Sequence, residues 1–331
     1  MSRRVISVVD AHVAGEPARL ITGGPKLKGR SIVEKTEYMK KHYDTIRTAV
    51  MLEPRGHGDM YGGYLTEAVD PRADLGIIFI DGGLYNAMCG HASIAFGTMA
   101  VELGYVETRE PITEVVLETG AGLVTIRVEV RDGKPVAATL QGVPSFLYRP
   151  DVRMKVFDQE IVTDIVYGGN FFAMVNIDQL GLKHSKEYIN DFIRYGLEIR
   201  KQANRLEIQH PEIPHINTID DILFVGDPQF PGDTHKSLCF LGQAQIDRSP
   251  CGTGTCARMA AMYARGQLTK QDVFYHESIV GTVFEGRIGQ VTSVGDYPAI
   301  IPLIRSKAYL TGIGNIVIDS DDPLKEGFLL R

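Results

Sequence analysis

Cys89-Gly90-His91-Ala92-Ser93-Ile94-Ala95-Phe96-Gly97-Thr98-Met99-Ala100 and Cys251-Gly252-Thr253-Gly254-Thr255-Cys256-Ala257-Arg258-Met259-Ala260-Ala261 are the two stretches whose reading decides the fold. Each begins Cys-Gly and continues as an Ala- and Met-rich segment, apolar nearly all round. A helix apolar on every side is a buried helix. The two Cys-Gly steps lie 162 residues apart, close to half of the 331-residue chain. The spacing predicts two similar halves, each a strand-rich shell around one central helix with a cysteine at its N-terminus.

Outward from these helices the chain reads as many short strands and few long helices. Residues 5–12 and 18–22 read as strands closed by Gly23-Gly24-Pro25. Residues 31–50 read as a helix, with Ser31 and Glu34 in capping-box spacing. Strands are expected at 60–66 and 75–80, a meander at 115–118, 122–130 and 135–141, and a hairpin of 161–167 with 171–176 around Gly168-Gly169. Residues 186–204 read as a second long amphipathic helix, and further strands are expected at 220–224, 237–241, 279–284, 299–304 and 308–311.

Composition excludes several function classes. Hydrophobic residues are 44% and charged residues 23%, ordinary for a soluble globular chain able to bury real cores. Asp+Glu at 41 outnumber Lys+Arg at 35, a net charge of −6, which argues against a nucleic-acid surface. No apolar run approaches the ~20 residues that span a bilayer, and the apolar start at 5–9 is too short for a signal-peptide core. A cytoplasmic protein without membrane or nucleic-acid partners is expected. The four cysteines, Cys89, Cys239, Cys251 and Cys256, form neither a disulfide framework nor a CxxC pair. No Cys/His quartet has structural-zinc spacing, so no metal is expected.

A cysteine at a helix N-terminus sits at the positive end of the macrodipole and among backbone N–H groups lacking intrahelical acceptors. Both favour thiolate, and the same N–H groups make an anion site. Two such helices suit a two-base racemisation: one thiolate removes a Cα proton while the other thiol delivers one to the opposite face of a carboxylate-bearing carbon. A free cysteine is more often a small buried hydrophobe, but two matching starts at half-chain spacing favour the functional reading. Cys239 and Cys256 lie inside apolar strand and helix patterns and read as packing residues.

Met88-Cys89-Gly90-His91 and Asp247-Arg248-Ser249-Pro250-Cys251-Gly252-Thr253-Gly254-Thr255 resemble the paired signatures of the proline racemase family, which includes 4-hydroxyproline 2-epimerases and trans-3-hydroxyproline dehydratases. Asp10-Ala11-His12, Gly15-Glu16, Glu53-Pro54-Arg55-Gly56-His57, Gly168-Gly169-Asn170-Phe171-Phe172-Ala173 and Asp322-Pro323-Leu324-Lys325-Glu326-Gly327-Phe328 extend the resemblance over almost the whole chain. It implies an α/β (α+β), diaminopimelate-epimerase-like fold of two pseudo-symmetric domains. The first is expected at 1–150 plus 306–331 and carries Cys89, and the second at 151–305 carries Cys251. No cofactor is expected: no pyridoxal phosphate, no metal and no nucleotide, in keeping with a sequence that has neither a Walker loop nor a GxGxxG after a strand.

By the same resemblance, Cys89 and Cys251 are the acid/base thiols. The N–H groups of Gly90, His91, Gly252 and Thr253 hold the substrate carboxylate, and His91 and Asp247 contact the ring nitrogen. Asp233 and His235 either line the pocket or cap a loop, and 53–57 either joins the site or supports it as a turn. Tyr61 stands where some proline racemases carry a pocket Phe, and Leu241 stands at a second pocket position. A Tyr hydroxyl can meet a substrate hydroxyl, and Leu leaves a smaller, softer wall. Arg55-Gly56-His57-Gly58-Asp59-Met60-Tyr61-Gly62 resembles the dehydratase branch, whose members usually carry Thr at the second cysteine; Cys251 keeps the second acid and favours racemase or epimerase. The reading is therefore a cofactor-independent isomerase, a homodimer, interconverting L- and D-proline. 4-Hydroxyproline 2-epimerase is the alternative, with trans-3-hydroxy-L-proline dehydratase behind it.

Overall fold

The computed structural model describes residues 3–228 and 234–330. The chain divides into two compact units, Met1–Leu140 with Lys307–Arg331, and Gln141–Ser306. The first contains β1 (Arg4–Val13), β2 (Glu16–Gly23), α1 (Ile32–Met51), β3 (Tyr61–Thr66), β4 (Leu75–Asp81), β5 (Tyr85–Asn86), α2 (Gly90–Glu102), β6 (Ile112–Thr119), β7 (Gly122–Arg131) and β8 (Lys134–Gln141). The second contains β9 (Ser145–Val156), β10 (Gln159–Tyr167), β11 (Phe171–Asn176), α3 (Ile189–Ala203), β12 (Ile219–Gly226), β13 (His235–Leu241), β14 (Gln245–Ile246), α4 (Gly252–Ala264), β15 (Phe274–Glu277), β16 (Val283–Val294) and β17 (Tyr297–Ser306). β18 (Ala308–Ile318) returns to the first unit and pairs antiparallel with β1.

One plan is laid down twice. β2 and β3 pair in parallel across α1, as β11 and β12 do across α3. β4 and β6 pair in parallel across α2, as β13 and β15 do across α4. Parallel neighbours need a long crossover, and the helices supply it. In the second unit the pairing closes on itself in the order β15-β13-β12-β11-β10-β9-β17-β16 and back to β15. In the first unit the order is β18-β1-β2-β3-β4-β6-β7-β8.

Apolar patterning explains which helices lie inside. Every residue of α2 from Gly90 to Val101 is buried, as is every residue of α4 from Gly252 to Ala261. α2 packs on β1, β2, β3, β6, β7 and β18, and α4 packs on β9, β10, β11, β16 and β17. Each unit is thus a strand-rich shell around one central helix. α1 is different: it buries one stripe, Ile32, Met39, Ile46 and Val50, in a cluster with Ile78 and Ile80 of β4. Ser31 caps it through Glu34 N–H at 3.1 Å, while the Glu34 carboxylate reaches back to Arg30 N–H at 2.7 Å.

Three local expectations change. Residues 279–284 are not one strand: Gly281 N–H donates to Ser278 O at 3.0 Å with Gly281 at φ 83°, so a turn separates β15 from β16. The expected helix at 186–204 begins as a 3-10 turn, Lys186–Tyr188, because Ser185 caps Glu187 N–H before the α-helical run starts. β9 was not expected, because Pro150 and alternating charged residues hide a 12-residue strand. Among the described residues no helix is long and apolar enough to cross a membrane.

Candidate active site

Cys89 is the N-cap of α2, in extended backbone at φ −143° and ψ 125°. Its carbonyl accepts the Ser93 hydroxyl at 2.6 Å and the Ser93 N–H at 3.0 Å, which fixes the first turn. Its sulfur lies 3.2 Å from Nδ1 of His91. His91 Nε2 lies 3.2 Å from the Pro17 carbonyl, which only accepts, so Nε2 carries a proton and Nδ1 is the ring nitrogen that faces the sulfur. Tyr61, the first residue of β3, meets the His91 ring edge-on at 5.1 Å.

Other motif segments of this unit are tied to one another. Arg19 holds both Asp10 oxygens at 2.8 and 3.0 Å and also donates to the Val50 and Arg55 carbonyls. Arg55 pairs with Asp322, and Phe328 N–H donates to Glu53 O at 3.0 Å. Residues 53–57 therefore join the N-terminal motif to the tail.

Cys251 caps α4 differently. Its backbone is left-handed, at φ 66°, a conformation that costs a non-glycine residue on the order of 1–3 kcal/mol and clusters at functional sites. The strain is held by a chain of bonds through the preceding turn. Asp247 N–H donates to Cys239 O at 3.0 Å, Ser249 N–H to Asp247 Oδ1 at 2.7 Å, and Cys251 N–H to Ser249 Oγ at 3.1 Å. The Cys251 sulfur accepts Gly254 N–H at 3.3 Å and lies 3.6 Å from Thr253 Oγ1, and Cys239, whose own S–H reaches the Phe240 carbonyl at 3.9 Å, is buried in the same cluster as Cys251. Gly168 must be glycine, because a Cβ there would run into the Thr253 carbonyl and the Ala257 nitrogen of α4.

Behind Cys251 a buried polar chain runs along α4. The Thr255 hydroxyl reaches Cys251 O at 2.6 Å and His276 Nδ1 at 2.8 Å. His276 Nε2 lies 3.3 Å from Nη1 of Arg258. Arginine only donates, so His276 Nε2 accepts and Nδ1–H donates to Thr255. Arg258 also donates to Lys236 O and Gly226 O, and it contacts Asp227 Oδ1 and His235 Nδ1 at 3.1 and 3.3 Å. Burial pulls Arg258 down to about 10, so it stays cationic at neutral pH. Burial and then Arg258 hold His276 well below the usual imidazole range, and the same two causes bring His235 down to about 4.

The structure thus gathers Cys89, Gly90, His91 and Tyr61 at the start of α2. It gathers Cys251, Gly252, Thr253 and Asp247 at the start of α4, with Leu241 packed on the cluster that contains Cys251. The N–H groups of Gly90, His91, Gly252 and Thr253 all fall in first turns, where a helix has no internal acceptor for them. His235 points to Arg258 and to the Phe274 ring at 4.9 Å. Asp233 lies outside the described residues. Cys239, Arg258 and His276 were not foreseen as part of this surround. A lone arginine in an otherwise apolar helix was the available signal, because such a charge stays buried only when paired.

Comparison with known proteins identifies the family and the fold. The family model described as proline racemase matches residues 8–329. The chain is 44% identical over 331 residues to a proline racemase of Clostridioides difficile, covering 99% of each. It is 42% identical over 331 residues to a trans-3-hydroxy-L-proline dehydratase of Burkholderia cenocepacia, again covering 99% of each. Its fold matches a hydroxyproline epimerase from Agrobacterium vitis, solved with bound trans-4-hydroxy-L-proline, at TM-score 0.91 and 32% identity over 100% of this chain and 96% of that one. The fold is the diaminopimelate-epimerase-like one, and a family match spanning both cysteine-capped helices leaves one assignment: the chain belongs to the proline racemase family.

Proposed function

We propose that this protein racemises proline without a cofactor, with Cys89 and Cys251 as acid and base on opposite faces of Cα. The observation that carries the reading is the repeated one: each unit begins its single buried helix on a cysteine. In one direction a thiolate takes the Cα proton and the opposite thiol supplies another; in the reverse direction the two exchange roles, and no net proton is consumed. N–H groups of Gly90, His91, Gly252 and Thr253 hold the carboxylate and meet the charge that grows on it as Cα loses its proton. Asp247 pairs with the ring ammonium in a charge-assisted bond. His91 Nδ1, beside the Cys89 sulfur, is the ring atom shared between the thiol and the substrate nitrogen.

A second reading has its own support. Tyr61 brings a hydroxyl-bearing ring against His91, and the Agrobacterium vitis neighbour holds a hydroxylated proline. Under that reading the protein is a 4-hydroxyproline 2-epimerase with the same two thiols. Both readings place it as a cytoplasmic homodimer. The four cysteines, all among the described residues and none in a disulfide, support the reducing compartment. The family resemblance supports the dimer, which sizing with light scattering tests.

The test is Cα–H loss by NMR in D2O with L-proline, trans-4-hydroxy-L-proline and trans-3-hydroxy-L-proline in separate tubes, alongside optical rotation. Exchange with inversion of proline supports the first reading, and exchange of the 4-hydroxylated substrate alone supports the second. Loss of water from the 3-hydroxylated substrate, with no exchange of the others, would replace both by a dehydratase.

A further inference from the structure

We propose that His276 is a positioning residue for Cys251: it holds the Thr255 hydroxyl proton on the Cys251 carbonyl and so keeps the second thiol in its left-handed cap. The inference rests on the two-thiol reading above and deepens it.

The geometry is a chain of bonds with one possible direction. Arg258 is pinned by donating to Lys236 O at 2.7 Å and to Gly226 O at 3.0 Å. Its Nη1 lies 3.3 Å from His276 Nε2, and a guanidinium has no lone pair to offer, so Nε2 accepts. His276 Nδ1 therefore carries the ring proton and donates to Thr255 Oγ1 at 2.8 Å. The Thr255 hydroxyl has one proton, which must then go to a carbonyl, and Cys251 O at 2.6 Å is nearer than Pro250 O at 3.4 Å. The opposite tautomer of His276 would draw that proton to the ring and take it from Cys251. Thr255 and His276 are fully buried and Arg258 nearly so, which keeps water from competing for these bonds.

What the chain holds is a strained cap. A non-glycine residue keeps a left-handed backbone, as Cys251 does at φ 66°, only where its surroundings over-determine it. From that backbone the sulfur itself caps α4, accepting Gly254 N–H at 3.3 Å. Cys89 is relaxed at φ −143°, and its side chain makes no capping bond. The duplicated plan matches the polar chain to the strain. His235 of β13 lies opposite His276 as Leu75 of β4 lies opposite Leu117, so His276 occupies the place of Leu117. Counting from the same partners, Cys239 occupies the place of Phe79, while Arg258 and Phe96 each stand seven residues past their cysteine. Ser93 bonds Cys89 O at 2.6 Å with those apolar residues behind it. One bond thus stands unaided where the cap is relaxed, and its counterpart is backed by His276 and Arg258 where the cap is strained.

The test compares three variants. Thr255→Val removes the hydroxyl and leaves Arg258 and His276 paired. His276→Leu installs the residue of the first unit. His276→Gln carries an amide able to accept from Arg258 and donate to Thr255. The cap is read without substrate, by hydrogen exchange of the Gly254 amide, and turnover is read by Cα exchange. Thr255→Val and His276→Leu are each expected to speed Gly254 exchange about five- to tenfold, the range for losing one buried hydrogen bond. Each should lower kcat by about the same factor with KM within about twofold, because the sulfur is displaced rather than the substrate. The Ser93 amide of α2 should keep its rate. The double variant should lose no more than either single one, since His276 acts through Thr255, and His276→Gln should stay near wild type. A merely structural His276, serving only Arg258, predicts wild-type Gly254 exchange in Thr255→Val and additive losses in the double variant. Either result, or a folded His276→Gln as impaired as His276→Leu, overturns the inference. If His276→Leu does not fold, Thr255→Val decides on the same exchange rate. Because amide exchange needs no substrate, it separates this outcome from failure of the two-thiol reading, which Cys251→Ser tests on turnover.

Discussion

The two cysteine-capped helices share a plan but not a lining. At Cys+2 stand His91 and Thr253, each touching its own cysteine sulfur. At Cys+4 stand Ser93 and Thr255, each bonding its own cysteine carbonyl at 2.6 Å. Beyond that the units diverge. Around α2 the equivalent places hold Leu75, Phe79, Phe96 and Leu117, with the two Phe rings stacked. Around α4 they hold His235, Cys239, Arg258 and His276, and Arg258 hydrogen-bonds both histidines. One helix is held by non-directional packing and the other by directional bonds. The bonds reach from Cys251 to both Asp227 and His235, so the second cysteine is coupled to that stretch of chain.

The comparison breaks most visibly at the sulfurs. Cys89→Ser and Cys251→Ser are each expected to cut racemisation by about 10²–10⁴-fold, the scale of general acid–base catalysis, without lowering the melting temperature. Near-wild-type turnover in either would remove that residue from the mechanism. Next comes Arg258→Met, expected to destabilise by about 3–5 kcal/mol because it orphans a buried polar set. By contrast, the Phe96→Leu change at the equivalent place is expected to cost less than about 1.5 kcal/mol. Urea unfolding of both checks the pair, and equal costs would show that the polar lining is incidental. His91→Ala is expected to lower kcat about 10- to 100-fold. It should slow alkylation of Cys89 measured in a Cys251→Ser background, and leave Cys251 alkylation, measured in Cys89→Ser, unchanged.

The smallest effect is pH dependence. Burial lowers His184, His210, His235 and His276, all in the second unit, below the ordinary value of 6.5, with His235 at about 4. Below pH 6.5 the unfolded chain takes up protons that these folded imidazoles refuse, so stability rises with pH through this window. It is complete above about 6.5 and declines as pH falls toward 4. Hydrogen exchange, corrected for intrinsic rates, should show protection in Gln141–Ser306 falling between pH 7 and 5 more than in the first unit. Equal losses would contradict it.

What was legible in the sequence follows the same division. Two small, apolar Cys-Gly helices at half-chain spacing were enough to foresee two shells around two buried helices, because a helix without a polar face has nowhere else to go. Cys89, His91, Tyr61, Cys251, Thr253 and Asp247 were legible through motif resemblance. The lining of α4 was not. Arg258, His276 and Cys239 lie on a helix and two strands that only the fold brings together, and Cys239 in an apolar strand looks like any packing residue. The left-handed backbone of Cys251 was equally hidden, since it depends on Ser249 and Asp247 closing the turn before it.

The central claim is that two separate thiols serve one carbon, and early-turnover isotope distribution tests it most directly. Enzyme and L-proline are mixed in D2O, and both enantiomers are recovered within the first few per cent of conversion. Two monoprotic bases predict that the D-proline formed carries deuterium at Cα while the remaining L-proline keeps its protium. Deuterium entering recovered L-proline as fast as D-proline forms would mean that one solvent-exchanging group serves both faces, and would contradict the account.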